Sequence, residues 1–580
     1  MSFSGRTVWE VLEAAAAEHP EQIALRQPLG SGRYRTWSWR EYAAAVREIA
    51  AGLRGLGIRK GDIVALQSET RAEFYLADLA AMISGGVAAA LYTSLPYADQ
   101  ARTLAACQAR LLIVENETAL RKLREAGAKV PAILLTPGSG ASTIEQLRED
   151  GRRMLESDSS LFERMRGEYG EEDDAVLYMT SGATGEPKMA LASHRALVAN
   201  MDMGPRCLPL SPADSTIAFL PSAHIAQRVV VELVPIRQGA CVWFSESLSK
   251  LPHELREIRP TFLLAPPRVW ERVHASIAAE IHKRPAPVRN LFYAGVGIAS
   301  RAMQRVQEGR RVPRWMRISR SAADRLMFRK IRQRLGGRLR IAASGAAPLG
   351  KDLAEFYAAI GMPLIEGYGL TEGGIVAFNP LERPKPGSIG QLLPGVEARI
   401  EADGELMLRS PCLFSSYFND PQATSAVLRD GWLATGDIAE RDSDGYYYIT
   451  GRKKELIALS NGKKIYPARI EALLKREPLV SHVLLIGDRL PYVSALLTVT
   501  APPGEAHPKV EQAVKSANRQ LAQFEQIRRF KILDREFSIE HGELTPTMKL
   551  RRERALENHR ALIGEMYAGR GGEMKAAAAE

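Results

Sequence analysis

Between residues 39 and 115 the apolar positions repeatedly change period. Over 39–56 they recur at three- and four-residue steps, as on one face of a helix, and 62–67 is a short apolar run, as in a buried strand. Helical spacing returns over 71–83, a buried strand over 87–92, another helix over 98–110 and another strand over 111–115. This alternation predicts α/β layering with a largely parallel sheet. Apolar strand patterns follow at 216–220, 241–244, 261–265 and 339–343. After about Gly387 the texture changes to short strands between turn signals, at 398–400, 405–408 and 446–450, which predicts a smaller β-rich unit. From Leu456 a compact α+β segment follows, with a helix at 468–475 and strands at 482–486 and 494–499. Residues 137–142 read as a loop, and the tail from Gly569, rich in Gly, Ala and Glu, is expected to be disordered.

Three turns at strand ends carry candidate chemistry. The apolar run 175–179 leads into Thr180-Ser181-Gly182-Ala183-Thr184-Gly185-Glu186-Pro187-Lys188. Small residues let backbone N–H groups approach an anion, hydroxyls add donors and Lys188 adds charge, which suits a polyphosphate. Pro187 separates Gly185 from Lys188, so this is not the Gly-Lys-Ser/Thr helix start of a Walker A loop. Residues 189–192 read as a returning strand, and an ordinary hairpin turn is equally consistent with the window. Ser344-Gly345-Ala346-Ala347-Pro348 and Glu366-Gly367-Tyr368-Gly369-Leu370-Thr371-Glu372 each follow an apolar stretch and are expected to be tight turns, where open α/β sheets bind ligands. The second offers a ring to stack on a purine, a hydroxyl for phosphate and a carboxylate for a hard cation. Two purely structural turns remain the alternative. Asp437 could accept both hydroxyls of a ribose or simply cap a turn. Lys549 lies in a basic run, where a lysine is ordinarily just solvated.

The series of motifs resembles the adenylate-forming superfamily, which includes acyl-CoA synthetases, peptide-synthetase adenylation domains and luciferases. The resemblance spans 178–552 in the family's order, with long-chain fatty acid–CoA ligases matched most specifically at 220–228, 260–271, 328–340 and 542–552. It implies a large N-terminal domain over 1–451, built of doubly wound α/β subdomains plus a small β-barrel-like unit at about 387–451. A hinge at 452–455 and a small mobile α+β domain at 456–568 follow. It implies that Thr180, Ser181, Gly182, Thr184, Gly185 and Lys188 hold phosphates. Ser344, Gly345, Ala346, Ala347 and Pro348, with Glu366, Gly367, Tyr368 and Gly369, would surround adenine. Thr371 would contact phosphate and Glu372 would hold Mg²⁺. Asp437 and Arg452 would bind ribose, Lys454 would be the hinge, and Gly462 would border the pantetheine channel of CoA. Lys549 would bridge the carboxylate oxygen and α-phosphate as charge develops, and His224 would lie near the acyl carboxylate. The implied reaction is ATP- and Mg²⁺-dependent activation of a fatty acid to acyl-AMP, then transfer to CoA. Thr180, His224, Glu372 and Lys549 would be its catalytic residues. Transfer to an acyl-carrier protein is an alternative kept open by Tyr466-Pro467, and a non-catalytic homologue is another. The chain departs from the family at Ala183, where Thr is usual, at Met189-Ala190 in place of Gly-Val, and at Ser410, where Gly is common.

Bulk properties narrow the setting. A chain of 580 residues with 46% hydrophobic and 25% charged positions fits a multidomain globular protein. Cys107, Cys207, Cys241 and Cys412 form no metal-ligand spacing and suggest a reducing, cytoplasmic compartment. There is no apolar signal core at the start and no membrane-spanning run. The net charge of +11 is concentrated at 310–340, where ten or more Arg and Lys face one acid, Asp324. Met327, Phe328, Ile331 and Leu335 fall there at helical spacing, with Trp315 and Met316 upstream. The segment reads as a solvated basic face over a buried stripe or as a peripheral dock for anionic lipid. No nucleic-acid-binding module accompanies it. Members of the family often form homodimers, but no sequence feature marks an interface.

Overall fold

A computed structural model describes residues 6–138, 141–180 and 188–568. The described chain divides into a large unit, running to Thr435 and resuming over Glu440–Ile449, and a small unit of Gly436–Ala439 and Thr450 onward.

The first sheet of the large unit has seven strands, in the order Ser416–Tyr417, Lys188–Ser193, Asp174–Thr180, Val87–Ala90, Ile63–Gln67, Leu111–Val114 and Ala132–Leu134. The last five run parallel, and the first two are antiparallel additions. Every residue of Ile63–Gln67, Val87–Ala90 and Leu111–Val114 is buried, as expected of parallel strands covered on both faces. Helix Ala72–Ile83 is buried along its whole length, hence its mostly apolar sequence, interrupted only by Glu73 and Asp78. Helix Trp39–Gly55 starts at a reciprocal cap between Ser38 and Glu41 and packs on helix Ile144–Ser157. Gly52 and Gly151 permit that contact: a Cβ on Gly52 would lie 2.3 Å from the Leu147 carbonyl, and one on Gly151 only 1.8 Å from that of Glu48.

A four-stranded sheet contains Arg33–Ser38, Ile23–Gly30, Cys241–Phe244 and Ser215–Ala218. A five-stranded sheet contains Phe262–Ala265, Ile341–Ser344, Leu364–Leu370, Gly374–Phe378 and Gln391–Leu392. Its first three strands are parallel. Buried Trp270, Phe292, Phe328 and Tyr357 fill the core against helices Pro267–His282 and Ala286–Gln307. The β-rich stretch forms an antiparallel sheet of Glu397–Ile400, Glu405–Arg409, Trp432–Arg441 and Leu428–Arg429. In the small unit, Val480–Ile486, Val493–Val499 and Ile527–Ile532 form a sheet covered by helices Pro467–Leu474 and Pro503–Asn518.

One expectation changes. The segment 366–372 is not a tight turn: strand Leu364–Leu370 continues through it, and the chain reverses only at 371–373 into Gly374–Phe378. Antiparallel pairing outweighs the glycines' turn propensity, and Gly367 is required by packing, because a Cβ there would stand 2.4 Å from the Phe378 ring. The basic segment is helical at Arg314–Ala323 and Arg329–Arg334, with a π-helical turn over Asp324–Phe328 between them. No helix among the described residues is long and apolar enough to cross a membrane. The tail from Gly569 lies outside the described residues.

Candidate active site

Strands Asp174–Thr180 and Lys188–Ser193 form an antiparallel hairpin whose last register pair is Thr180 with Lys188. The Thr180 hydroxyl donates to the Lys188 carbonyl at 3.1 Å. Ser181, Gly182, Thr184 and Gly185, together with Ala183, lie outside the described residues. The Lys188 ammonium stands 4.7 Å from the centroid of the Tyr417 ring. Tyr417 in turn donates its phenolic O–H to Glu372 Oε1 at 2.7 Å. Burial, and then the Glu372 charge, raise the Tyr417 pKa, so the phenol stays a donor.

Lys188, Tyr417 and Glu372 thus form a cation–ring–carboxylate relay. Sequence reading missed Tyr417, which belongs to no quoted motif and arrives only because Ser416–Tyr417 pairs with Leu191 and Ala190. Holding Glu372 by one oxygen suits a Mg²⁺ that takes one carboxylate and completes its shell with phosphate oxygens and water. Among the described residues no group of three or more His, Cys, Asp or Glu is assembled to hold a metal by itself.

The two loops expected around adenine are neighbours because Ser344 pairs in parallel register with Glu366. Glu366 is buried, and its carboxyl accepts the Leu349 N–H at 3.0 Å. Burial pushes its pKa up to about 8, so at neutral pH this side chain is a neutral tie between the loops. Ser344 is fully buried and its hydroxyl has no partner among the described residues, which places it inside the sheet rather than at the loop surface. Gly345 and Ala346 are half-buried, and Ala347 and Pro348 are exposed. Ala346 adopts φ +69°, a left-handed conformation costly for a residue with a Cβ. Tyr368, Thr371 and Glu372 are each half-buried.

His224 opens the turn before a π-helical segment, Gln227–Leu233. Its Nδ1 accepts the Ala226 N–H at 3.1 Å, which leaves the proton of the neutral ring on Nε2. Four residues on, Arg228 is completely buried and binds Asp78 through two hydrogen bonds, 3.0 Å from Nε to Oδ2 and 2.5 Å from Nη2 to Oδ1. Its guanidinium also lies 5.1 Å from the Tyr178 ring centroid, two residues before Thr180. Burial raises the Asp78 pKa, while the Arg228 charge and hydrogen bonds pull against that rise. Beside it, burial and then the Asp78 charge push the Glu232 pKa far up. The pair joins the His224 turn, helix Ala72–Ile83 and strand Asp174–Thr180. Arg228 was visible in a quoted motif, but nothing in the sequence marked Asp78 as its partner.

In the small unit Asp437 is buried and pairs with Arg452, Nε to Oδ1 at 2.9 Å, so the two residues expected at ribose are brought together. Lys549 leaves a tight turn in which the Thr545 N–H donates to the Lys549 carbonyl at 2.8 Å and the Thr545 hydroxyl accepts the Lys549 N–H at 3.0 Å. Met548 takes φ +63° to close it. Lys549 keeps solvent access, while the surrounding protein and then the Arg452 charge lower its pKa, opposed by Asp437 and Glu455. Lys454 lies in the short 3₁₀ turn Lys453–Glu455. Gly462 has φ +79° with open space where a Cβ would be, so its backbone conformation is what demands glycine here.

These features coincide with a family. The model of the AMP-binding enzyme matches residues 12–418, and that of the AMP-binding enzyme C-terminal domain matches 454–571. The chain belongs to the AMP-binding enzyme family and has the adenylate-forming fold. It is 33% identical to a long-chain-fatty-acid–CoA ligase of Mycobacterium bovis over 95% of both chains. It is 28% identical to fatty acyl-CoA synthetase A of Dictyostelium discoideum over 97% of this chain and 91% of that one. Among solved structures, an anthranilate CoA ligase in complex with anthranoyl-AMP superposes with a TM-score of 0.73 at 20% identity, covering 97% of this chain and 100% of that one. The adenylation domain of a carboxylate reductase from Mycobacterium chelonae gives 0.74 at 22% identity, covering 97% and 91%.

Proposed function

We propose that this enzyme activates a long-chain fatty acid with ATP, forming acyl-AMP and pyrophosphate, and then transfers the acyl group to CoA. The observation that carries the reading is the Lys188–Tyr417–Glu372 relay at the base of a hydroxyl- and glycine-rich loop, in a chain that keeps Asp437, Arg452 and Lys549. Lys188 and the loop bind the polyphosphate, while Glu372, oriented by Tyr417, holds the accompanying Mg²⁺, which supplies charge neutralisation when bound. Asp437 accepts from the ribose hydroxyls and Arg452 orients it. His224, with its proton on Nε2, positions the fatty-acid carboxylate.

In the first step a carboxylate oxygen bonds to the α-phosphorus and the bond to pyrophosphate breaks. Lys549 stabilises the developing charge. In the second step, with Lys454 as the hinge and Gly462 bordering the channel, the CoA sulfur bonds to the acyl carbon and AMP departs. The thiol proton goes to solvent. The relatives named as fatty-acid–CoA ligases support CoA over a carrier protein as acceptor. The free cysteines among the described residues accord with a cytoplasmic enzyme, and segment 310–340 with a peripheral membrane contact.

Pyrophosphate release with Mg·ATP and a series of acids from acetate to stearate, each with and without CoA, tests the reading. Turnover that needs CoA and peaks at long chains is expected. A single CoA-independent burst would instead identify an acyl-AMP ligase serving a carrier protein. Lys549→Ala is expected to slow adenylation about 100- to 1000-fold while leaving thioester formation from supplied acyl-AMP largely intact. Equal loss in both steps would overturn the role of Lys549.

A further inference from the structure

The basic segment does more than cover a core. Helix Arg314–Ala323 and the π-helical turn after it bury Met316, Ala323 and Phe328 against the body of the large unit. Gly295 of helix Ala286–Gln307 meets Ala323 at close range: a Cβ on Gly295 would lie 3.1 Å from that of Ala323. That inner face satisfies the packing. Yet Trp315, Ile318 and Leu326 stand 55%, 69% and 61% exposed. Trp315, Ile318 and the exposed Ala322 fall at i, i+3 and i+7 on helix Arg314–Ala323, and Leu326 stands exposed in the π-helical turn that follows. Seven of the thirteen large apolar side chains exposed among the described residues lie between Val288 and Leu326, so the exposure is concentrated rather than scattered.

Charge selects the occupant. Residues 283–340 hold seventeen Arg and Lys against two acids, more than the whole chain's net +11, so the rest of the chain is net acidic. Asp324 is taken by Arg332 at 2.6 Å. Among the described residues no carboxylate pairs with Arg314, Arg317, Arg320, Arg325, Arg329 or Lys330. Unpaired guanidinium groups flanking exposed Trp, Ile and Leu suit a surface that is both anionic and oily. Nucleic acid would use the charge and leave the stripe in water. A protein partner would require acidic groups matched one by one.

We propose that this face docks on an anionic phospholipid bilayer, with Trp315, Ile318 and Leu326 entering the acyl boundary and the flanking arginines holding phosphate headgroups. This deepens the membrane-contact reading of segment 310–340 and rests on it, not on the acid-activating chemistry.

The full-length protein is sedimented with vesicles of phosphatidylcholine alone and of phosphatidylcholine mixed with phosphatidylglycerol. Binding is expected only to the mixed vesicles and to weaken with salt. Arg317→Gln/Arg320→Gln should lower affinity about 25-fold at low salt, at about 5-fold per charge. Trp315→Ser/Ile318→Ser should lower it about 10-fold or more. Both variants should keep wild-type pyrophosphate release with a water-soluble short acid in vesicle-free buffer, which separates loss of docking from misfolding. Equal binding to both vesicle types would overturn the proposal. So would insensitivity to Trp315→Ser/Ile318→Ser, preferential capture of RNA, or self-association that occludes the stripe. If vesicles bind but no acid is activated, the catalytic reading fails and the docking surface stands.

Discussion

Arg228 and the arginines of residues 314–329 solve opposite problems with the same side chain. Arg228 has no exposed surface and holds Asp78 through two hydrogen bonds, because a guanidinium taken out of water cannot shed its proton and must be matched. Arg314, Arg317 and Arg320 stay in water with no carboxylate partner among the described residues, and carry exposed apolar neighbours between them. The buried charge fixes three elements around the His224 turn. The exposed charges fix nothing internal and are therefore available to a partner. Glu366 shows a third solution, in which a buried carboxyl with no cation bound to it gives up its charge.

The sharpest break of this comparison is Asp78→Ala, which leaves Arg228 buried and unmatched. It should cost about 3–5 kcal/mol in denaturant unfolding, whereas Asp78→Leu combined with Arg228→Met should recover most of that loss. A loss from Asp78→Ala no larger than that of a surface substitution would mean the pair does not secure the fold.

Glu366 gives a pH signature of intermediate size. Its folded pKa of about 8 lies above the ordinary 4.5, so between those values the folded state holds a proton that the unfolded state has lost. The stability it contributes is full below about pH 4.5 and falls by up to about 1.4 kcal/mol per pH unit until about pH 8. Glu366→Gln should flatten that slope when unfolding is followed from pH 5 to pH 8.5. An unchanged slope would place the titrating group elsewhere.

The smallest effect should come from the exposed side. Arg317→Gln and Arg320→Gln should each change stability by no more than about 0.5 kcal/mol. A larger loss would show that these charges are structural after all.

Much of this molecule was legible in local pattern. Strand Cys241–Phe244 has the bounds read from its apolar run, and helices Trp39–Gly55 and Ala72–Ile83 differ from theirs by a single residue at an end. Side-chain period and capping are properties of neighbours in the chain, so sequence carries them. The order of motifs likewise named the family. The pairing of Asp437 with Arg452 brings together two residues the sequence had assigned to one task.

Other features depended on contacts distant in sequence. Strand Leu364–Leu370 runs through a glycine-rich segment because Gly374–Phe378 pairs with it, and a pairing energy cannot be read from one strand alone. Tyr417 reaches Glu372 and Lys188 through sheet register, and Asp78 reaches Arg228 through the packing of a buried helix. Which arginines are paired and which apolar side chains face water likewise follow from folding. The sequence by itself set the elements, the family and the charge of segment 310–340. Only the tertiary structure decided the partner of each buried charge and which face of that basic helix was left outside, because burial is a property of the assembled layers and not of any one segment.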